Sequence, residues 1–261
     1  GNLDKAFQTV YEHFDKQAKM SAKVKSALAY PIFVLCIAVG VVAVLMIKVV
    51  PTFTAIFDSY GAELPMVTQL LIAISNFFIK YWMLLLGIVA AFVIFYKVYG
   101  NTEQGRMNLA KWSLEVPVLG NIQELNAASE FANTLTTMLA SGLPMTRAIT
   151  ITAKTMSNYF MSTEVGKLAV KIEEGHALGQ SMREANFMPD ILVDMVSVGE
   201  ETGEMEKTLK TIAGYYDAEL DMAIASALSK LEPALLVGLA GIAGFIVIAI
   251  YMAMFGMYAA M

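Results

Sequence analysis

Among its 261 residues the chain has a single cysteine, Cys36, and two histidines, His13 and His176, far apart in sequence. A lone cysteine cannot form an intramolecular disulfide or build a metal site. The two histidines read as ordinary helix-surface residues rather than ligands. Charge is also scarce, with Asp, Glu, Lys and Arg making up 16% of residues, against about a quarter in an ordinary soluble domain. The signatures of chemistry are missing too. There is no HExxH, no GxSxG elbow, no kinase set and no metal-ligand spacing. GHALGQS, residues 175–181, superficially resembles a phosphate loop. It lacks the lysine and the spacing of GxxxxGK[ST], and no strand precedes it. One glycine ending a helix and another opening the next account for it. The sequence therefore assigns no catalytic residue, no cofactor site and no metal site, and a non-enzyme is expected.

What the chain has in excess is apolar surface: 57% of residues are hydrophobic and the mean hydropathy is +0.59. Three runs, 32–50, 81–99 and 234–255, approach or exceed the roughly 20 residues that cross a bilayer. The first carries its one charge, Lys48, near its end, where the side chain can snorkel. The second has Tyr81 and Trp82 at one end and Tyr96 and Tyr99 at the other, as an aromatic belt would place them. Lys16, Lys19, Lys23 and Lys25 precede the first span, Arg106 and Lys111 follow the second, and Lys230 precedes the third. By the positive-inside rule the N-terminus and the 100–232 region lie in the cytoplasm, and the C-terminus lies outside. Ionisable groups within the spans sit at their ends, Cys36 apart, which argues against an ion or proton pathway. A membrane transporter or channel subunit is the alternative reading. From 101 to 233 there are 10 basic and 18 acidic residues, a net of −8. Nucleic-acid binding needs the opposite sign, whereas a basic protein partner would be attracted.

The opening GNLDKAFQTVYEHFDKQAKM falls on GEMEKTLKTIAGYYDAELDM when the chain is shifted by 202 residues. Gly1, Lys5, Thr9, Asp15, Met20 and Pro31 meet Gly203, Lys207, Thr211, Asp217, Met222 and Pro233 without a gap. The stripe Leu3, Phe7, Val10, Phe14 and Ala18 falls on Met205, Leu209, Ile212, Tyr216 and Leu220, one face of an α-helix. Each proline is followed by a span. Such a repeat predicts an all-α membrane protein with three transmembrane helices and one cytoplasmic helical bundle of five to six helices. It is preceded by the last helix of a second, truncated copy. The segments are 1–30 for that helix, 31–50 for the first transmembrane helix, and 51–80 for an outer (periplasmic) loop and amphipathic helix. Then come 81–99 for the second transmembrane helix, 100–232 for the bundle, 233–256 for the third transmembrane helix, and 257–261 for an outer tail.

Within the bundle, Leu125, Ala128, Phe131, Leu135 and Met138 trace one apolar face, ending at Gly142. Further helices are expected over about 146–156, 159–174, 178–185 and 190–200. A last one starts near Gly203, capped by Thr202. The segment 66–80, with Gln69, Asn76 and Lys80 on one side, reads as an interfacial helix leading into the second span.

AASEFANTLTTMLASGLPMTRAI, DMVSVGEETGEMEKTLKTIAGYYDAEL and LEPALLVG, with SALAYPIFVLCIAVGVVAVLMIKVVPTF in the first half, resemble the inner-membrane platform proteins of type IV pilus assembly and type II secretion, the F family. The resemblance covers the whole chain and departs chiefly in lacking most of the first cytoplasmic domain. It implies a multi-pass protein of the bacterial inner membrane without enzymatic activity. It also implies a homo-oligomer that works with a cytoplasmic hexameric assembly ATPase, with pilins or pseudopilins, and with other inner-membrane assembly proteins.

Three groups of residues are candidates for that work. Glu200, Glu201 and Glu204, with Glu206 beside them, form an acidic turn that would meet a basic ATPase surface. Against this, acids in a first helical turn commonly just complement the dipole. Tyr30–Pro31 and Glu232–Pro233 stand where each long helix enters the membrane and would act as hinges, or else mark a simple bend. Gly238, Gly241 and Gly244 give a small-residue face for helix packing, within the chain or between copies. The 18 methionines read as adaptable core filling.

Overall fold

In a computed structural model, residues 28–52 and 65–260 are described continuously, together with Tyr11, Ala22, Lys25, Ser26 and Ala55; side chains are described as far as Phe255. The described residues contain helix and no strand. They group into two compact units, one on Lys97–Ala227 and one on the described part of Lys23–Tyr96 together with Leu228–Met261.

The first unit is a bundle of α3 (Glu103–Glu115), α4 (Leu119–Ala140), α5 (Met145–Thr155), α6 (Tyr159–Glu173), α7 (Leu178–Ala185) and α8 (Asp190–Thr202), joined by the start of α9 (Met205–Ala260). Consecutive helices from α3 to α8 pack on one another, and α3 also packs on α6. Short connections favour such neighbours. Phe131, Leu135, Ile149, Leu168, Leu192 and Leu209 are fully buried at its centre. The stripe expected on the last helix is the one that packs: Met205, Leu209, Ile212, Tyr216 and Leu220 are all buried. Its counterpart, Leu3 to Ala18, lies outside the described residues.

Helix ends follow local chemistry. α4 stops just before Gly142 and α6 just before Gly175, both at positive φ, as helix-ending glycines are expected to be. Asn158 caps α6, accepting from the N–H groups of Phe160 (2.9 Å) and Met161 (3.2 Å), and its amide also donates to the Ala110 carbonyl of α3. The helix α3 was not foreseen from sequence. Its start carries a readable cap, Thr102, whose hydroxyl accepts from Gly105 N–H at 3.1 Å. It has little apolar periodicity; Leu114 packs against the bundle core, Arg106 stands over the Tyr159 ring and Lys111 over Phe160.

The second unit contains α1 (Leu28–Thr52), α2 (Met66–Asn101) up to Tyr96, and the later part of α9. All three are long and apolar enough to cross a membrane. Residues 66–80 run without a break into 81–99. Thr68, Leu71 and Ser75 are buried, and Leu71 clusters with Val50 of α1 and with Ile246 and Ala249 of α9.

Two hydroxyls tie this cluster across helices. Thr68 Oγ1 donates to the Ala249 carbonyl at 2.8 Å. Ser75 Oγ donates to the Met46 carbonyl at 2.7 Å. The second has a clear cause. Over Leu45–Val49, α1 widens to a π-helix, and the Val50 N–H bonds to Leu45 O. In that register the donor for Met46 O would be Pro51, which has no N–H. In an apolar environment such an orphan carbonyl is costly. Ser75, reaching in from α2, supplies the missing donor.

Candidate functional site

The acidic turn joins α8 to α9. Gly203, at φ 73°, ends α8 in a left-handed conformation that glycine adopts without strain. Thr202, expected to cap the last helix, instead closes α8: its hydroxyl donates to Val198 O at 2.7 Å and only distantly meets Glu204 N–H, at 3.4 Å.

The three candidate acids turn out to do different things. Glu200 is engaged within the fold: its two carboxylate oxygens accept from Leu178 N–H (2.8 Å) and Gly179 N–H (2.9 Å). These are first-turn amides of α7, which has no capping side chain of its own. A carboxylate there satisfies two orphan donors and complements the positive end of the helix. The same contact explains GHALGQS, whose amides are held by the protein's own carboxylate. Gly179 permits the approach, since a Cβ on it would run into Ser197 of α8 at 2.2 Å. Glu204 pairs with Lys207 at 2.9 Å, one turn on. Glu201 and Glu206 are exposed. All four acids are exposed, but Glu200 spends both carboxylate oxygens on the α7 cap, so the acidic face with free oxygens is centred on Glu201 and Glu204.

Around it, α7 is clasped by further ionic contacts, Lys171–Glu184 at 2.9 Å and Arg183–Asp194 at 2.7 Å. Hydrogen bonds from Lys171 and then Gln180 hold the Glu184 carboxyl below the usual carboxylate range. On the start of α9, Asp217 receives hydrogen bonds from Ser129 Oγ and, at 3.2 Å, from Asn133 Nδ2, both on α4. The repeat singled out Asp217 as the match of Asp15. Its tie to residues 84 and 88 positions away has no signature in sequence.

In the membrane unit Tyr30 and Pro31 line one narrow cavity together with Val34, Glu232, Leu235 and Leu236. The two candidate hinges are thus brought together, and Pro233 lies within continuous helix. Gly238, Gly241 and Gly244 are not brought against a neighbour: a Cβ added to any of them would meet nothing within 4 Å. The face of α9 that packs within the chain carries Ile246, Ala249 and Ala253. Gly244 precedes Ile246 by two residues, roughly 200° around the helix. No group of three or more His, Cys, Asp or Glu suited to a metal occurs among the described residues.

The family model described as "Type II secretion system (T2SS), protein F" matches residues 1–51 and 131–253. A type IV pilus assembly protein PilC of Myxococcus xanthus is 36% identical over 257 residues, covering 98% of this chain and 62% of its own length. The chain belongs to the type II secretion system protein F family. Other members similar to it include the type IV pilus assembly protein PilC of Thermus thermophilus, 33% identical over 256 residues, with 98% of this chain and 63% of that protein covered. The type II secretion system protein F of Aeromonas hydrophila is 31% identical over 252 residues, covering 96% and 64%. The chain thus spans a little under two thirds of the length of these family members. The two stretches that match the family model end at 51 and 253, 202 residues apart. That is the offset at which the sequence repeats itself. With its three apolar helices, this family member is a multi-pass membrane protein.

Proposed function

We propose that the chain is the non-enzymatic platform of a pilus or secretion machine in the bacterial inner membrane, coupling a cytoplasmic hexameric ATPase to the assembly of pilin or pseudopilin fibres. The observation that carries this reading is the match, over 96–98% of the chain, to proteins named for type IV pilus assembly and for type II secretion. The N-terminus and the bundle are cytoplasmic in this reading and the C-terminus is outside, as the lysine and arginine distribution suggests. Its ATPase contact is the acidic face of Glu201 and Glu204, which would attract a basic partner surface. Tyr30–Pro31 and Glu232–Pro233, lying together, form the joint at which the membrane helices respond.

The test replaces Glu201 and Glu204 together with lysine in the full protein and measures ATPase co-purification and fibre assembly at matched membrane levels. Exposed pairs are each worth about 0–1 kcal/mol, so the double change is needed, and its effect should shrink with added salt. Glu200→Gln is the internal comparison. It is expected to weaken the α7 cap by about 1 kcal/mol while leaving recruitment intact. Normal recruitment and fibre assembly by the double variant would remove the acidic face from the ATPase contact. Loss of recruitment in Glu200→Gln alone would move that contact to α7.

A further inference from the structure

The last turn of α2, from Lys97, belongs to the same compact unit as α3, and a single residue, Thr102, separates the two helices. The Thr102 hydroxyl donates to the Tyr99 carbonyl at 2.7 Å and accepts from Gly105 N–H at 3.1 Å. A Cβ on Gly105 would collide with that same carbonyl, so the bend is as tight as a missing side chain allows. Continued straight, a helix would carry Leu109 about 13 Å beyond Gly100. Instead a Cβ on Gly100 would lie 3.5 Å from Leu109 Cδ1. The Asn108 amide donates to the Tyr99 hydroxyl at 2.9 Å. α3 therefore runs across the end of α2 rather than away from it.

Two faces of α3 have different neighbours. Ala110, Ser113 and Leu114 meet the bundle: the Asn158 amide donates to the Ala110 carbonyl at 3.2 Å and to Ser113 Oγ at 3.3 Å, and Leu114 packs on the core. Gly105, Asn108 and Leu109 meet the end of α2. Those three stand at i, i+3 and i+4 of one helical stripe, whose next member, at i+7, is Trp112. Trp112 is 64% exposed. The face that meets the close of a membrane span thus continues, one turn on, as a tryptophan that the chain leaves open. Charge divides in the same place. From 97 to 111 the exposed Lys97, Arg106 and Lys111 stand against Glu103 alone. From 112 to 227 there are 7 basic and 16 acidic residues.

We propose that α3 lies on the membrane surface at which α2 ends, with the Trp112 ring seated among the headgroups and upper acyl chains of anionic lipids and Lys97, Arg106 and Lys111 near their phosphates. Depth supports this. Trp112 is one turn, about 6 Å, along α3 from Asn108, which is itself held to the tyrosine at the edge of the span. Each interfacial layer of a bilayer is about 5–7 Å deep. An indole has an apolar body and one N–H donor, which suits that layer. Basic residues beside it are drawn to an anionic leaflet, and the acidic remainder of the bundle is held off. Lipid is favoured over a protein partner because headgroups surround a span wherever it emerges, whereas a partner would have to intrude within one turn of that point.

The test uses the full protein with Trp82→Phe, which leaves Trp112 as its one tryptophan, in vesicles of phosphatidylcholine and phosphatidylglycerol. With phosphatidylcholine brominated near the top of its acyl chains, Trp112 is expected to lose most of its emission. Bromines near the chain ends should quench it several-fold less, and acrylamide in the water should quench it weakly. A companion Trp112→Phe protein reports on Trp82 in the span. Quenching of Trp82 by brominated lipid without quenching of Trp112 overturns the proposal and leaves the span standing; quenching of neither overturns both. Strong quenching of Trp112 by acrylamide places it in water, and resistance to both lipid and acrylamide places it under protein; either result overturns the proposal. In vesicles of phosphatidylcholine alone, acrylamide should reach Trp112 several-fold better, and an unchanged value overturns the role given to lipid charge. If Trp82→Phe fails to accumulate, a photo-reactive residue at position 112 in native membranes replaces it. Adducts to lipid support the proposal, and adducts only to protein overturn it.

Discussion

The bundle and the membrane helices spend their large apolar side chains in opposite ways. In the bundle Phe131 is wholly buried, and so are Leu135, Ile149 and Leu192. On α2, Phe92 is 67% exposed, and the run of Met83, Leu84, Leu86, Ile88 and Val89 is exposed with it. The cause is the solvent. Water drives apolar surface inward, whereas a lipid tail gives a leucine no reason to turn from it. What joins the membrane helices is a small cluster around Leu71 and two hydroxyl-to-carbonyl bonds. In a region that reads as apolar throughout, the polar atoms show where the helices meet.

The contrast can be broken most directly with two phenylalanines. Phe131→Ala is expected to cost the bundle about 3–5 kcal/mol, read by urea-dependent pulse proteolysis of the full chain in detergent. Phe92→Ala should change stability by no more than about 0.5 kcal/mol. Comparable losses from the two would erase the distinction between the units.

The polar ties differ less, and in the same direction. Ser129→Ala removes a donor to the Asp217 carboxylate, and hydrogen bonds to charged groups are worth about 1.5–3 kcal/mol. Ser75→Ala removes a neutral tie between membrane helices, for which about 0.6 kcal/mol is typical. Adding Pro51→Ala to that variant should recover most of the loss, because the Met46 carbonyl would regain a backbone donor. If Ser75→Ala costs as much in the Pro51→Ala protein as it does with Pro51 in place, the orphan carbonyl is not what Ser75 satisfies.

The smallest effect at neutral pH belongs to Tyr216. Its ring is buried, and its hydroxyl has no hydrogen-bond partner among the described residues. It lies near the Leu192 backbone, but that N–H is given to Pro189 O at 3.0 Å. Tyr216→Phe should therefore be neutral within about 0.5 kcal/mol at pH 7. Burial pushes the phenol up from 10.0 to about 12. Since the folded value lies above the unfolded one, stability is intact below about pH 10 and falls as pH rises toward 12. A pH series on Tyr216→Phe should lack that part of the fall; an unchanged alkaline profile would show the phenol titrating normally in the fold.

Much of this architecture is written in local residues. Gly142 and Gly175 mark helix ends, the stripe from Met205 to Leu220 selects the buried face, and three long apolar runs announce the spans. The shift of 202 residues reveals the repeat. Each of these depends on neighbours within a turn or two, or on a period, which sequence carries directly. The work of Glu200 was not legible, because Leu178 and Gly179, whose amides it caps, lie 22 and 21 residues away. An acid in GEETGE looks the same whether it caps a distant helix or faces solvent. Nor could periodicity tell which faces of α1 and α9 would grip α2. A helix that is apolar all round carries no inward side in its pattern, and the choice fell to Pro51, Ser75, Thr68 and the small side chains of Ala249 and Ala253 once three helices were brought together.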